Sequence, residues 1–166
     1  MRKELVVILL FLIPLQKGNA QNKPMALTFE QAAKQGISYE KLDSIYVSAI
    51  HADTSKAAFK TEAEQSKLFE AYTQLLKTFG TYLTSNNFSW NAPTKCFNRI
   101  YMKPDGSIDY FLYHFISKPG QPEPISEEKR IEFERLLNRF IQSYKFGITA
   151  STKFAQCSPV SYGQQK

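Results

Sequence analysis

Apolar residues keep helical spacing most clearly between Thr61 and Ser85, where Leu68, Phe69, Tyr72, Leu75, Leu76, Phe79, Tyr82 and Leu83 recur with Lys67, Glu70, Gln74, Lys77 and Thr81 between them. The pattern predicts an amphipathic rod of about 35 Å with its aromatic and leucine stripe turned inward. Its start is marked by Thr61-Glu62-Ala63-Glu64, a capping box in which the first and fourth residues satisfy each other's backbone amides. A second helical rhythm, Phe133, Leu136, Leu137, Phe140, Ile141 and Tyr144, follows Ser126 as N-cap, with Glu127 and Glu128 near the positive end of the helix dipole. Arg130, Arg135 and Arg139 fall on its polar side and read as solvated cations.

Between these helices the period changes from helical to extended. Cys96 to Met102 and Ser107 to Phe115 are β-rich runs joined by Lys103-Pro104-Asp105-Gly106, in which Pro104 presets a turn and Gly106 supplies a left-handed position. A three-residue loop sets Lys103 opposite Ser107. Counting outward then pairs Ile100 with Tyr110, Arg99 with Phe111 and Cys96 with His114. One face would hold Cys96, Ile100, Met102, Ile108, Tyr110 and Leu112. The other would hold Phe97, Tyr101, Phe111, Tyr113 and Phe115, with Arg99 and Asp109 among them. Two apolar faces mean either that helices cover both, the N-terminal helices on one side and the next helix on the other, or that one aromatic face is open for a partner; coverage is the reading preferred.

The remaining segments are shorter. Thr28-Phe29-Glu30-Gln31 forms another capping box, opening a helix that ends at Gly36, and Ser38 can cap a stretch from Tyr39 to Ile50 that is either helix or strand. Trp90 to Lys95 is a connector, and Ser117 to Ile125, with Pro119, Gly120, Pro122 and Pro124, is a loop. Phe154 to Tyr162 is a last strand that Pro159 restricts to a sheet edge or a strand end, followed by a loose tail from Gly163 to Lys166. The fold class is α+β: N-terminal helices plus a ββαβ unit with a small antiparallel sheet.

The first twenty residues stand apart. Arg2 and Lys3, the apolar run Leu5 to Leu15 and the ending Gly18-Asn19-Ala20 read as a cleavable secretory signal, too short in its apolar part for a spanning helix of ~20 residues. The organisation expected is a signal peptide at 1–20 and a single α+β domain at 21–166, mainly helical over 28–85 and hairpin-helix-strand over 96–162. Localisation is exported, periplasmic or extracellular, without a permanent membrane anchor.

Composition changes little in this picture. The formal charge of +6 falls to +4 once three basic residues and one acid leave with the signal, and no block of like charges marks a nucleic-acid surface. Cys96 and Cys157, an even pair in a chain bound for an oxidising compartment, are expected to form a disulfide.

Chemistry-bearing residues are few. His51 and His114 are the two imidazoles, and neither lies in a nucleophile-elbow, phosphate-loop or metal-ligand spacing, so no catalytic residue, metal site or cofactor is assigned. His51-Ala52-Asp53 reads as a turn or cap. Cys96 opposite His114 offers the one enzyme arrangement, an imidazole lowering a thiol pKa, which a disulfide would remove.

The order of hairpin, helix and final strand from Asn98 onward resembles the C-terminal domain of TonB-like periplasmic proteins. The matching features are Ile100 and Met102 before Asp105-Gly106-Ser107-Ile108, a helix holding Phe133, Leu137 and Ile141, and Lys145-Phe146 before the last strand. The match covers residues 98–162. The chain departs from the family in its preceding helical region and in Gly147-Ile148, where the family often has a proline. The resemblance implies protein binding through an exposed strand edge, here Phe154, Gln156, Ser158 and Val160, to an envelope or secreted protein. The function expected is an exported, non-catalytic protein- or ligand-binding domain. The alternative is a small secreted thiol enzyme or hydrolase of unknown substrate.

Overall fold

Two capping boxes and a serine cap fix where the helices begin. A computed structural model describes residues 23–117 and 124–163. Thr28 Oγ1 accepts from the Gln31 amide while Gln31 Oε1 accepts from the Thr28 amide, starting α1 (Phe29–Lys34). The Thr61 and Glu64 pair does the same for the 24-residue α3 (Glu62–Ser85), and Ser126 caps α4 (Glu127–Ser143). The segment left open as helix or strand is some of each, α2 (Tyr39–Asp43) and then the two-residue strand β2 (Val47–Ser48).

The other strands are β1 (Met25–Thr28), β3 (Thr94–Met102), β4 (Ile108–Phe115) and β5 (Phe154–Tyr162). They form one sheet in the order β1-β4-β3-β5-β2. Its centre is antiparallel, as expected, but both outer strands run parallel to their neighbours, so the sheet is mixed. The class remains α+β. The polar lead before Thr28 conceals β1, whose four residues are too few for a period-2 pattern to register.

α3 and α4 pack on one face of the sheet, where Leu68, Leu75, Phe79, Phe133, Leu137 and Ile141 meet Ile100, Met102, Ile108, Phe111 and Phe154. Phe133 stands at the centre, with the rings of Phe79, Phe88, Trp90, Tyr113, Phe115 and Tyr162 around it at 5.2–6.0 Å. Phe69, expected in the stripe, is exposed instead, because burial follows Leu68, Tyr72, Leu75, Phe79 and Leu83. α1, α2 and the turn after them cover the opposite face, with Ala32, Leu42 and Tyr46 on Leu27, Tyr101, Leu112 and Ala155.

The hairpin register differs from the expected one by a single residue. Lys103 does face Ser107, its amide donating to the Ser107 carbonyl at 2.8 Å, and Met102 pairs with Ile108. Then a β-bulge skips Asp109, so that Tyr101 pairs with Tyr110, Ile100 with Phe111, Arg99 with Leu112 and Cys96 with Phe115. Because side chains alternate along a strand, one extra residue transfers everything beyond it to the other face. Phe111, Tyr113 and Phe115 therefore join Ile100 and Cys96 under the long helices, while Tyr110 and Leu112 join Tyr101 on the side of α2. The residues 1–20, read as a signal, and most of the proline-rich loop and tail lie outside the described residues.

Candidate functional site

The bulge builds the candidate site. At an ordinary strand position Asp109 and Tyr110 would point to opposite faces, but here both line one cavity of about 390 Å³ on the α2 side of the sheet. Its walls come from the loop and helix at Gly36, Ile37, Lys41 and Leu42, from Ile45 and Tyr46, from Lys103 at the hairpin end and from Lys153 before β5.

Asp109 is 7% exposed and carries the polar contacts of the cavity. The Tyr46 hydroxyl donates to its Oδ2 at 2.6 Å, Lys103 Nζ lies 3.2 Å from Oδ1 and Lys153 Nζ lies 3.9 Å from Oδ2. Lys153 also sits over the Tyr46 ring, 5.2 Å from its centroid. Burial, and then the bond to the Asp109 carboxylate, push the Tyr46 phenol well above its ordinary pKa, so it acts as a fixed hydrogen-bond donor. Sequence reading missed this group because its members are spread from position 41 to position 153. Asp109 interrupting an otherwise apolar strand was the available clue.

The expected disulfide is not formed, and the register explains why. β5 places Cys96 opposite Val160 and Cys157 opposite Arg99, three positions along the strand, with Cys96 buried under the long helices and Cys157 exposed. Three strand positions separate the Cα atoms by about 10 Å, beyond the reach of a disulfide.

The Cys96 and His114 pair is not formed either. The bulge puts Phe115 opposite Cys96 and turns His114 out toward Phe29 and Phe97 on the other face. The Cys96 thiol donates to Asn98 Oδ1 at 3.3 Å, and burial drives its pKa far up, which keeps it a neutral thiol. His51 Nδ1 accepts from the Asp53 amide at 2.9 Å while Asp53 Oδ1 accepts from the Ser55 amide, a turn. Arg130 and Arg135 pair with Glu127 and Glu132 on their own helix. Among the described residues, no group of three or more His, Cys, Asp or Glu gathers as metal ligands would.

The final strand is bordered on both sides at its start. Ala49 and Val47 donate to the carbonyls of Ala155 and Lys153, so odd-numbered residues of β5 turn their backbone outward and even-numbered ones face β3. The main-chain groups of Phe154, Gln156, Ser158 and Val160 thus point at β3, and the outer edge belongs to Cys157, Pro159 and Ser161. On that edge Pro159 has no amide, the Cys157 carbonyl accepts from Gln156 Nε2 at 3.0 Å and the Pro159 carbonyl accepts from Ser158 Oγ at 3.0 Å. No described helix is long and apolar enough to cross a membrane. Comparison of the chain with protein-family models, curated proteins and solved structures gives no match, so the functional reading rests on the geometry of the molecule itself.

Proposed function

We propose that the chain is an exported, non-catalytic binding domain that receives a small molecule in the cavity beside Asp109. The observation that carries the reading is the bulge at Asp109, a local irregularity that places a buried carboxylate and two tyrosines around a space of about 390 Å³. Small-molecule sites typically occupy ~300–1,000 Å³ and combine apolar walls with a few fixed polar groups. Ile37, Leu42 and Ile45 supply the apolar walls, and Tyr46 and Asp109 are held in place by their mutual hydrogen bond. The side chains that cap the outer edge of β5 favour this cavity over strand addition as the place of binding. Export rests on the N-terminal pattern of residues 1–20.

Fluorescence titration with the neutral dye N-phenyl-1-naphthylamine tests the site. Saturable binding by the wild type, weakened at least several-fold in Ile45→Trp, is expected, because the larger ring occupies the cavity rim from a position that is 50% exposed. Saturable binding that Ile45→Trp leaves unchanged rejects the cavity as the ligand site.

A further inference from the structure

We infer that the ligand of this cavity is a small organic acid, a carboxylate, sulfonate or phosphate on a compact apolar body, with its acid group received by Lys41, Lys103 and Lys153. The inference rests on the proposed binding role of the same cavity and adds the ligand's charge.

Three lysines line the space against one carboxylate, leaving a surplus of two positive charges. Asp109 satisfies one of them well. Lys103 approaches it at 3.2 Å, whereas Lys153 stands off at 3.9 Å, beyond ordinary hydrogen-bond distance. Lys41 pairs with no carboxylate among the described residues. Asp43, on the same helix, is engaged elsewhere, accepting from Arg99 and from the Tyr101 hydroxyl. Each ammonium has three donors and no acceptor, so Lys41 and Lys153, both in the cavity lining, retain donors that Asp109 does not fill.

The apolar part of the ligand is read from the opposite walls. Ile37, Leu42 and Ile45 offer aliphatic contact, and Tyr46 and Tyr110 add aromatic side chains to the lining. An anion entering between the lysines gains charge-assisted hydrogen bonds in a partly desolvated site, while a cation of the same shape meets the surplus positive charge. A carboxylate fixed within a basic cavity also orients the ammonium groups before a ligand arrives, which reduces the ordering cost of binding. Asp109 accordingly serves as a positioning residue for Lys103.

The test compares two dyes of one skeleton, anionic 1-anilinonaphthalene-8-sulfonate and neutral N-phenyl-1-naphthylamine, on the wild type, Lys41→Met and Lys153→Met. Methionine keeps most of the lysine stem and removes the charge. The sulfonate is expected to bind about tenfold more tightly than the neutral dye, and each substitution to remove several-fold of that preference, read as the ratio of the two dye affinities on the same protein. Circular dichroism melts of both variants confirm that they are folded. Equal affinity for the two dyes, or a preference that both substitutions leave intact, overturns the acid assignment while the binding role stands. Saturable binding of neither dye overturns both.

Discussion

Asn138 binds Ala26 with both halves of its side-chain amide: Oδ1 accepts from the Ala26 amide at 2.9 Å and Nδ2 donates to the Ala26 carbonyl at 2.9 Å. The side chain completes, from a helix 112 residues away, the hydrogen bonding that a further strand would give β1. A sheet edge with unpaired donors and acceptors invites association with other chains, and covering it is one of the ways proteins avoid that outcome.

Replacing Asn138 with leucine should therefore release β1 without disturbing the core of α4. Two bonds to partly buried backbone groups are lost, at a cost of about 1–3 kcal/mol. Urea unfolding should show the loss, and hydrogen exchange should show faster exchange at Ala26 with little change at Leu137 or Ile141. Unchanged exchange at Ala26 would show that the amide bridge contributes nothing to holding the strand.

Gly106 is the tightest point of the hairpin turn. Its φ is +81°, and an added Cβ would lie 2.6 Å from the Phe146 carbonyl oxygen, a backbone atom that cannot swing aside. The same glycine accepts from the Phe146 amide at 2.8 Å, so the turn and the segment leading into β5 are fastened together. Gly106→Ala is expected to cost at least about 1–3 kcal/mol from backbone strain, with the collision adding to it. A melting temperature equal to the wild type would contradict this.

Much of this architecture was legible in the chain because its determinants are local. Thr61 with Glu64, Thr28 with Gln31 and Ser126 mark helix starts within four residues of sequence, and the structure places caps at all three. Gly106 likewise revealed the turn, and Lys103 does face Ser107. The bulge was not legible, since nothing in Ile108-Asp109-Tyr110 distinguishes a skipped residue from a paired one. That single residue reversed the faces of Phe111, Tyr113 and Phe115, separated Cys96 from His114 and created the cavity. The candidate site was hidden for the same reason, because Lys41, Tyr46, Asp109 and Lys153 converge only through tertiary structure.

Thiol accessibility follows directly from the register of β3 and β5. Without reductant, a maleimide should label Cys157 alone in the folded protein and both cysteines in denaturant, because Cys96 is fully buried beneath α3 and α4. Peptide mass spectrometry identifies the labelled residue. Two unlabelled thiols in denaturant would mean that the cysteines are joined, and the described register would then be incorrect.

Acid sensitivity should have an identifiable contribution from the turn that Gly106 closes. The Lys145 ammonium at 2.9 Å, followed by the Ser107 amide and hydroxyl, holds the Asp105 carboxyl well below its ordinary pKa. A carboxylate depressed in the folded state stabilises above its unfolded pKa, and that contribution is lost as pH falls through the folded value. The wild-type melting temperature should therefore drop between about pH 5 and about pH 2, with a smaller drop for Asp105→Asn. The group is exposed, so the difference should shrink further in high salt. Parallel melting curves for the two proteins across that range would exclude Asp105 as a contributor.

The opposite edge of the sheet is closed by different means. β2 covers β5 only at Phe154 and Ala155, and beyond them the outward backbone belongs to Cys157, Pro159 and Ser161. Proline at the middle of the three removes a donor where a docking strand would need one, and the Gln156 and Ser158 side chains occupy neighbouring carbonyls. Pro159→Val should restore the donor and place a β-favouring side chain at an exposed position. In reducing buffer, where Cys157 cannot cross-link, sedimentation velocity should then show a several-fold rise in self-association over the wild type. If the variant sediments as the wild type does, Pro159 is not what protects the edge, and the Gln156 and Ser158 side chains are sufficient to close it.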